Sequence, residues 1–237
     1  MKNLSIRWIG QSGYLLTDGK TTICIDPYLS DVVNRIAGRG RMVDAPIAPQ
    51  DLRADAVICT HNHLDHVDID AIPLMQKDNM TFYAPRDCRD TLKELGVGNY
   101  IPFDEGEAAQ VGDFTIEAVY ADHTVPAIGV VVTYGENRLY FTGDTYYHEK
   151  LNKTKCDILF VCINGKLGNM DVNDAIRLTN EINPTTAVPN HYGMFESNTE
   201  DPNIINGNFP AINLVASTLN AVVPFEASSA KKIFCAP

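Results

Sequence analysis

Short apolar runs alternate with polar turns along the first part of the chain, and that alternation predicts strands. Residues 5–9, 14–17 and 22–25 read as three strands, separated by turns at Gln11-Ser12-Gly13 and Asp18-Gly19-Lys20. Residues 31–50, rich in Gly, Pro and Arg, read as a surface loop or short helix. The pattern then predicts a strand at 56–59, a helix at 68–75 capped by Asp68, a strand at 81–84 and a helix at 86–95 that Gly96 ends. Strands follow at 115–120 and 128–134, the second turning through Gly135-Glu136-Asn137 into a strand at 138–142. Residues 157–162 form a continuous apolar run of the buried kind. Apolar positions over 172–182 recur at helical spacing, with Asp171 as N-cap and Pro184 as the stop. The rest reads as a central strand at 186–189, a helix at 212–222 and an edge strand at 233–235.

The strands fall into two groups, residues 1–134 and 138–235, each with its own helices. This is an α/β pattern that fits two sheets packed face to face with helices outside. The length of 237 residues suits one large domain over 1–237 with a full core.

Composition narrows the class. A hydrophobic content of 45% with 21% charged residues describes a soluble globular protein. No apolar run reaches the roughly 18 residues of a membrane span, and the N-terminal residues lack a secretory apolar segment. The six cysteines (Cys24, Cys59, Cys88, Cys156, Cys162, Cys235) include no Cys-x-x-Cys pair, and several sit inside strand-like runs. They read as reduced buried thiols of a cytoplasmic protein. The net charge of −11 comes with no basic stripe, which argues against a nucleic-acid surface. The expected partner is a small anionic molecule, with neither nucleic acid nor membrane; self-association into a homo-oligomer is compatible with it.

The strongest chemical signal is His-Asn-His-Leu-Asp-His at 61–66, directly after the strand at 56–59. Imidazoles and a carboxylate crowded this closely repel one another if protonated and gain nothing without a cation. Three further candidates each follow a strand: His123, Asp144 and His191. Loops at the C-terminal ends of strands are where α/β folds place their sites. His148 lacks that context and reads as an ordinary surface histidine.

The ordered set His61, His63, Asp65, His66, His123, Asp144 and His191 resembles the metallo-β-lactamase superfamily of hydrolases. That resemblance implies a four-layer αβ/βα sandwich of two mixed β-sheets. It also implies that Asp26, in Cys-Ile-Asp-Pro-Tyr, supports the site from behind the ligands. Four blocks resemble the L-ascorbate-6-phosphate lactonase family more narrowly: Trp-Ile-Gly-Gln-Ser-Gly-Tyr-Leu-Leu (8–16), Thr-His-Asn-His-Leu-Asp-His-Val-Asp (60–68), Thr-Gly-Asp-Thr-Tyr-Tyr (142–147) and Pro-Asn-His-Tyr-Gly-Met-Phe (189–195).

Carried over by motif, His61, His63 and His123 hold one divalent ion, Asp65, His66 and His191 a second, and Asp144 bridges. The donor set suits zinc, manganese or iron. Two adjacent cations bring the pKa of a shared water toward neutrality, and Asp65 orients it. The implied reaction is hydrolysis of a lactone on a phosphorylated sugar acid, such as L-ascorbate 6-phosphate. No serine or cysteine nucleophile motif competes. A phosphodiesterase or nuclease on the same site, and a metal-binding protein without catalysis, are the alternatives.

For an anionic substrate the candidate contacts are Arg39 and Arg41, beside Arg35 in the first long loop, together with Lys166 and, at the start of a helix, Arg86. Tyr192 and Phe195 flank His191 as candidate pocket walls, and Gln11 and Ser12 are placed to face the metals from the first turn.

Overall fold

The computed structural model describes residues 4–202 and the backbone of three later strands, 212–216, 223–224 and 231–235. Six strands open the chain: β1 (Ser5–Gly10), β2 (Gly13–Thr17), β3 (Thr22–Ile25), β4 (Ala56–Ile58), β5 (Thr81–Ala84) and β6 (Tyr100–Pro102). Six more follow: β7 (Ala108–Val111), β8 (Phe114–Tyr120), β9 (Ile128–Tyr134), β10 (Asn137–Phe141), β11 (Ile158–Cys162) and β12 (Thr186–Asn190). The last three are β13 (Ile212–Ala216), β14 (Val223–Pro224) and β15 (Lys231–Cys235). One sheet runs β14-β1-β2-β3-β4-β5-β6 and the other β13-β15-β12-β11-β10-β9-β8-β7. Both are mixed: β1–β3 pair antiparallel and β3–β6 parallel, while β7–β10 pair antiparallel and β10–β12 parallel.

Alternation along the strands builds the layers. Ile23, Ile25, Ala56 and Ile58 face the core between the sheets, where they join Ile116, Val130, Leu139, Phe141 and Phe160. The residues between them, Cys24 and Val57, face the other way into a second apolar layer with Phe82 and Leu92. Leu92 comes from α2 (Arg89–Glu94), which covers that face. Strand β11 is buried along its whole length, as expected of a central strand with both neighbours parallel. α3 (Val172–Ile182) buries Val172, Ala175, Leu178, Thr179 and Ile182, one face at helical spacing. Its N-cap is Asp171, whose carboxylate accepts from the Asp174 N–H.

Several expectations are corrected. The sheets divide near residue 103–107, not at 134, because β7–β10 form an antiparallel meander whose short turns keep neighbours in one sheet. Strands β6 and β7 lack a clear apolar alternation and were not expected. The helix expected over 68–75 is only a 3-10 turn at Ile72–Leu74, since Pro73 has no N–H to extend it. Asp68 is a pin rather than a simple cap: it is buried and accepts from Leu29 N, Ser30 N, Ser30 Oγ, Asp70 N and Ala71 N. Residues 212–216, expected to begin a helix, form strand β13; the rest of that expectation, 217–222, lies outside the described residues. β15 is not an edge strand but lies between β12 and β13. The loop at 31–50 contains one short helix, α1 (Val32–Ala37), closed by Gly38 at φ 66°. Cys24, Cys59, Cys88 and Cys162 are free and buried, as the sequence suggested. Among the described residues no helix is long and apolar enough to cross a membrane.

Candidate metal centre

Every ligand candidate sits just beyond the end of a strand that points the same way. His61–His66 follow β4, His123 follows β8, Asp144 follows β10 and His191 follows β12. The two sheets are stitched together at this edge by an isolated bridge between His61 and Ala127 and by the Ile128 N–H donating to Thr60 O at 3.0 Å. Side chains more than a hundred residues apart therefore meet in one place.

Three groups of donor atoms converge, each with all atoms within 4.8 Å of one another: His61, His63 and His123; Asp65, His66 and His191; and His61, His66 and Asp144. Asp144 groups with His61 from the first set and His66 from the second, its Oδ1 3.4 Å from His66 Nε2 and its Oδ2 3.1 Å from His191 Nε2. All seven sequence candidates are brought together.

The hydrogen bonds behind the ligands decide which nitrogens keep a lone pair. Asp26, buried and left-handed at φ 42°, takes the His66 Nδ1–H on Oδ2 at 2.9 Å, and Thr60 N–H and Oγ1–H at 2.8 Å each. With its proton on Asp26, Thr60 Oγ1 accepts from His61 Nδ1 at 3.1 Å. On the third imidazole, His123 Nδ1 donates to the Gly168 carbonyl at 3.0 Å. In each case the outer nitrogen carries the proton and Nε2 faces the cluster, the arrangement metal-ligating histidines use. Sequence reading named Asp26 but missed Thr60 and Gly168. Thr60 could be found from its position between a buried strand and the hexapeptide; Gly168 acts through its backbone and leaves no such signal.

The residues fit a metal pair on this structure's own terms. His66 Nε2 and Asp144 Oδ1 are buried with no hydrogen-bond partner although they lie 3.4 Å apart. His63 Nδ1 lies 2.9 Å from His61 Nε2 and 3.2 Å from His123 Nε2, so three nitrogens aim at one point. Burial, reinforced by neighbouring histidines, pushes His61 well down and His63 down, which leaves both neutral and able to ligate. Burial also works against charge on His66 and His191, but there the carboxylates win. Asp26 and Asp144 raise His66, and Asp144 with Asp65 raises His191 to about 9.

Backbone strain collects here as well. Among the described residues, Gln11, Asp26, Leu167 and His191 are four of the five non-glycine residues with positive φ; the fifth, Asn183, caps α3. Such conformations persist where surrounding contacts over-determine them. Gln11 faces the cluster as expected, its Nε2 donating to Asp65 Oδ2 at 2.7 Å and lying 3.2 Å from His191 Nε2. Ser12 is buried but its Oγ makes no hydrogen bond.

A cavity of about 380 Å³ opens onto the cluster at His63, Asp65, Asp144 and His191. Leu64, Leu167 and Phe195 form an apolar wall, and exposed Arg39 also lines the cavity. The other substrate candidates are placed elsewhere. Arg41 is a structural residue, donating to the carbonyls of Val43, Tyr28 and Ser30 with its guanidinium 4.5 Å from the Tyr28 ring centroid. Tyr192 is packed in the main core. Lys166 donates to the Ser197 carbonyl at 3.3 Å and is exposed away from the cavity lining. Arg35 pairs with Asp70, and Arg86 with Asp104 and Glu107. His148 caps a 3-10 turn, accepting from Lys150 N–H.

The model of the β-lactamase superfamily domain family matches residues 21–192, a span that holds every ligand candidate. The chain belongs to that family. Within the metallo-β-lactamase superfamily it is similar to a UPF0173 metal-dependent hydrolase from Thermoplasma acidophilum, at 28% identity over 85% of this chain and 89% of that one. A UPF0173 metal-dependent hydrolase from Oenococcus oeni is also 28% identical, over 84% and 90%. The solved structure of a metallo hydrolase from Ignicoccus hospitalis superposes with a TM-score of 0.79 at 20% identity, covering 95% of this chain and all of that one. The chain is thus a metal-dependent hydrolase of the metallo-β-lactamase fold.

Proposed function

We propose that the protein opens a small lactone that carries an anionic group, with a phosphorylated sugar-acid lactone such as L-ascorbate 6-phosphate as the model substrate. The observation that carries this reading is one cavity lined both by Asp65, Asp144 and His191 and by Arg39. Among the described residues no carboxylate pairs with Arg39, so in a chain of net charge −11 it is free to take an anion. Its planar guanidinium suits a phosphate or carboxylate.

A divalent metal pair, when bound, acidifies water and polarises a carbonyl. His61, His63 and His123 would supply three nitrogens to one ion, and Asp65, His66 and His191 the donors to the other, with Asp144 shared. Asp65 is the more open of the two carboxylates, its side chain 18% exposed against 6% for Asp144. Held by Gln11 on Oδ2, it accepts a hydrogen bond from the attacking water and orients it toward the lactone carbonyl. Water adds to the carbonyl carbon, the ring C–O bond breaks, and the released alkoxide takes up a proton to give the hydroxy acid. The apolar wall of Leu64, Leu167 and Phe195 limits bulk water around the ring.

The test is a substrate panel with the protein loaded with Zn2+ or Mn2+: lactones with and without a phosphate or carboxylate, against bis(p-nitrophenyl) phosphate. Turnover confined to the anionic lactones is expected. Preferential cleavage of the phosphodiester would replace this reading with that of a phosphodiesterase.

A further inference from the structure

The loop joining β11 to α3 contains three left-handed residues in four positions: Gly165 at φ 66°, Leu167 at φ 56° and Gly168 at φ 99°. It is fastened at its base. The Gly165 N–H donates to Met170 O at 3.0 Å, the Met170 N–H to Thr145 O at 2.8 Å, and Asn164 Nδ2 to Asn198 Oδ1 at 3.0 Å. At its tip, two consecutive residues reach one donor group and the shared carboxylate of the metal cluster. The Gly168 carbonyl accepts from His123 Nδ1 at 3.0 Å, and Asn169 Nδ2 donates to Asp144 Oδ2 at 2.8 Å.

Chemistry fixes both contacts in one sense. A carbonyl only accepts, so His123 carries its proton on Nδ1 and turns a lone pair on Nε2 toward His63. A carboxylate only accepts, so Asn169 must present its amide N–H, which leaves its Oδ1 buried and unbonded. A buried polar atom left orphaned is costly, and its persistence indicates that the contact to Asp144 dominates at this residue. Steric room agrees. A Cβ at Gly168 would lie 2.7 Å from His123 Nδ1 and 2.8 Å from Cε1, so any side chain there displaces the ring. The residue before, Leu167, is 57% exposed and lines the cavity.

We propose that residues 164–170 act as one strap that sets one donor group of the metal cluster and the carboxylate shared with the other, with Gly168 and Asn169 as positioning residues working through His123 and Asp144. The proposal rests on the metal-hydrolase reading but concerns metal binding alone. It assigns to this loop a task that no ligand of the cluster performs, since one backbone segment ties the His61–His63–His123 group to the shared carboxylate.

The experiment is calorimetric titration of metal-free protein with Zn2+, alongside the melting temperature of the metal-free form. Gly168→Ala is expected to keep one tight equivalent and to lose the other. Asn169→Leu, which keeps the branching at Cγ but not the donor, is expected to bind about 10- to 100-fold more weakly, the usual cost of losing such a partner. In Asn169→Leu the metal-free melting temperature stays near that of the parent, which a merely structural role would not allow. If Gly168→Ala does not fold, Asn169→Leu decides by itself. Parent affinity in the folded variants overturns the strap while leaving the hydrolase reading intact. So does weakened binding in Asn169→Leu that accompanies a destabilised metal-free fold. A parent protein that binds no Zn2+ overturns both.

Discussion

Asp26 Oδ2 lies 2.9 Å from His66 Nδ1, and both side chains are sealed from solvent. One carboxylate therefore aims two ligands, His66 directly and His61 through the Thr60 hydroxyl. It does so from the end of β3, in the left-handed conformation that asparagine and aspartate tolerate best. Asp26→Asn keeps the backbone and the shape but removes the charge. Metal affinity is expected to fall by about 10- to 100-fold, read by titration with Zn2+ or Mn2+. Unaltered affinity would show that the His66 orientation comes from packing alone.

Loss of a ligand itself has a larger effect. His61 belongs to two of the three donor groups, so His61→Ala is expected to leave the purified protein with at most one ion per chain and to abolish turnover. Elemental analysis checks the first and the substrate panel the second. Chelation of the parent protein is expected to give the same loss, reversed by adding metal. Full activity of rigorously metal-free protein would rule out the mechanism.

Arg39 and Arg41 stand two residues apart and have opposite roles. Arg41 makes three charge-assisted bonds to backbone carbonyls and stacks on Tyr28, so Arg41→Ala is expected to cost about 2–4 kcal/mol of stability, measured by denaturant unfolding. Arg39→Ala is expected to leave stability within about 0.5 kcal/mol, as for a surface change, and to raise KM for anionic substrates. An equal KM for charged and uncharged lactones in the parent removes Arg39 from recognition.

The metal-free site holds protons where metals must bind. Against the cost of burial, Asp144 and Asp65 raise His191 to about 9, and Asp26 and Asp144 raise His66. With its value near 9, His191 is charged at pH 7, so metal binding is expected to release protons and to tighten as pH rises toward 9. Calorimetry at pH 7 in buffers of different ionisation enthalpy reads this directly; heats independent of buffer would contradict it. The sign for the metal-free fold is opposite. A histidine raised above its ordinary 6.5 stabilises the fold fully below that value, and the contribution is lost as pH rises through about 9.

The chain alone determined the candidate ligands and much of the framework. Residues 61–66 announce themselves because four donors in six positions have no local structural use, and β3, β4, β8, β9 and β11 follow from apolar runs bounded by turn residues. α3 was legible down to its cap because helical periodicity and capping are local properties. Tertiary structure decided the rest. Arg41 and Arg39 look alike in sequence, and only the fold of the 28–43 segment turns one inward onto carbonyls and the other outward to the cavity. Tyr192 sits beside a ligand candidate in sequence yet packs into the main core, a placement only the fold beyond β12 decides. The contacts of Gly168 and Asn169 were invisible because they are hydrogen bonds between segments 45 and 25 residues apart, one of them to a backbone carbonyl, that exist only once the loops after β8, β10 and β11 come together.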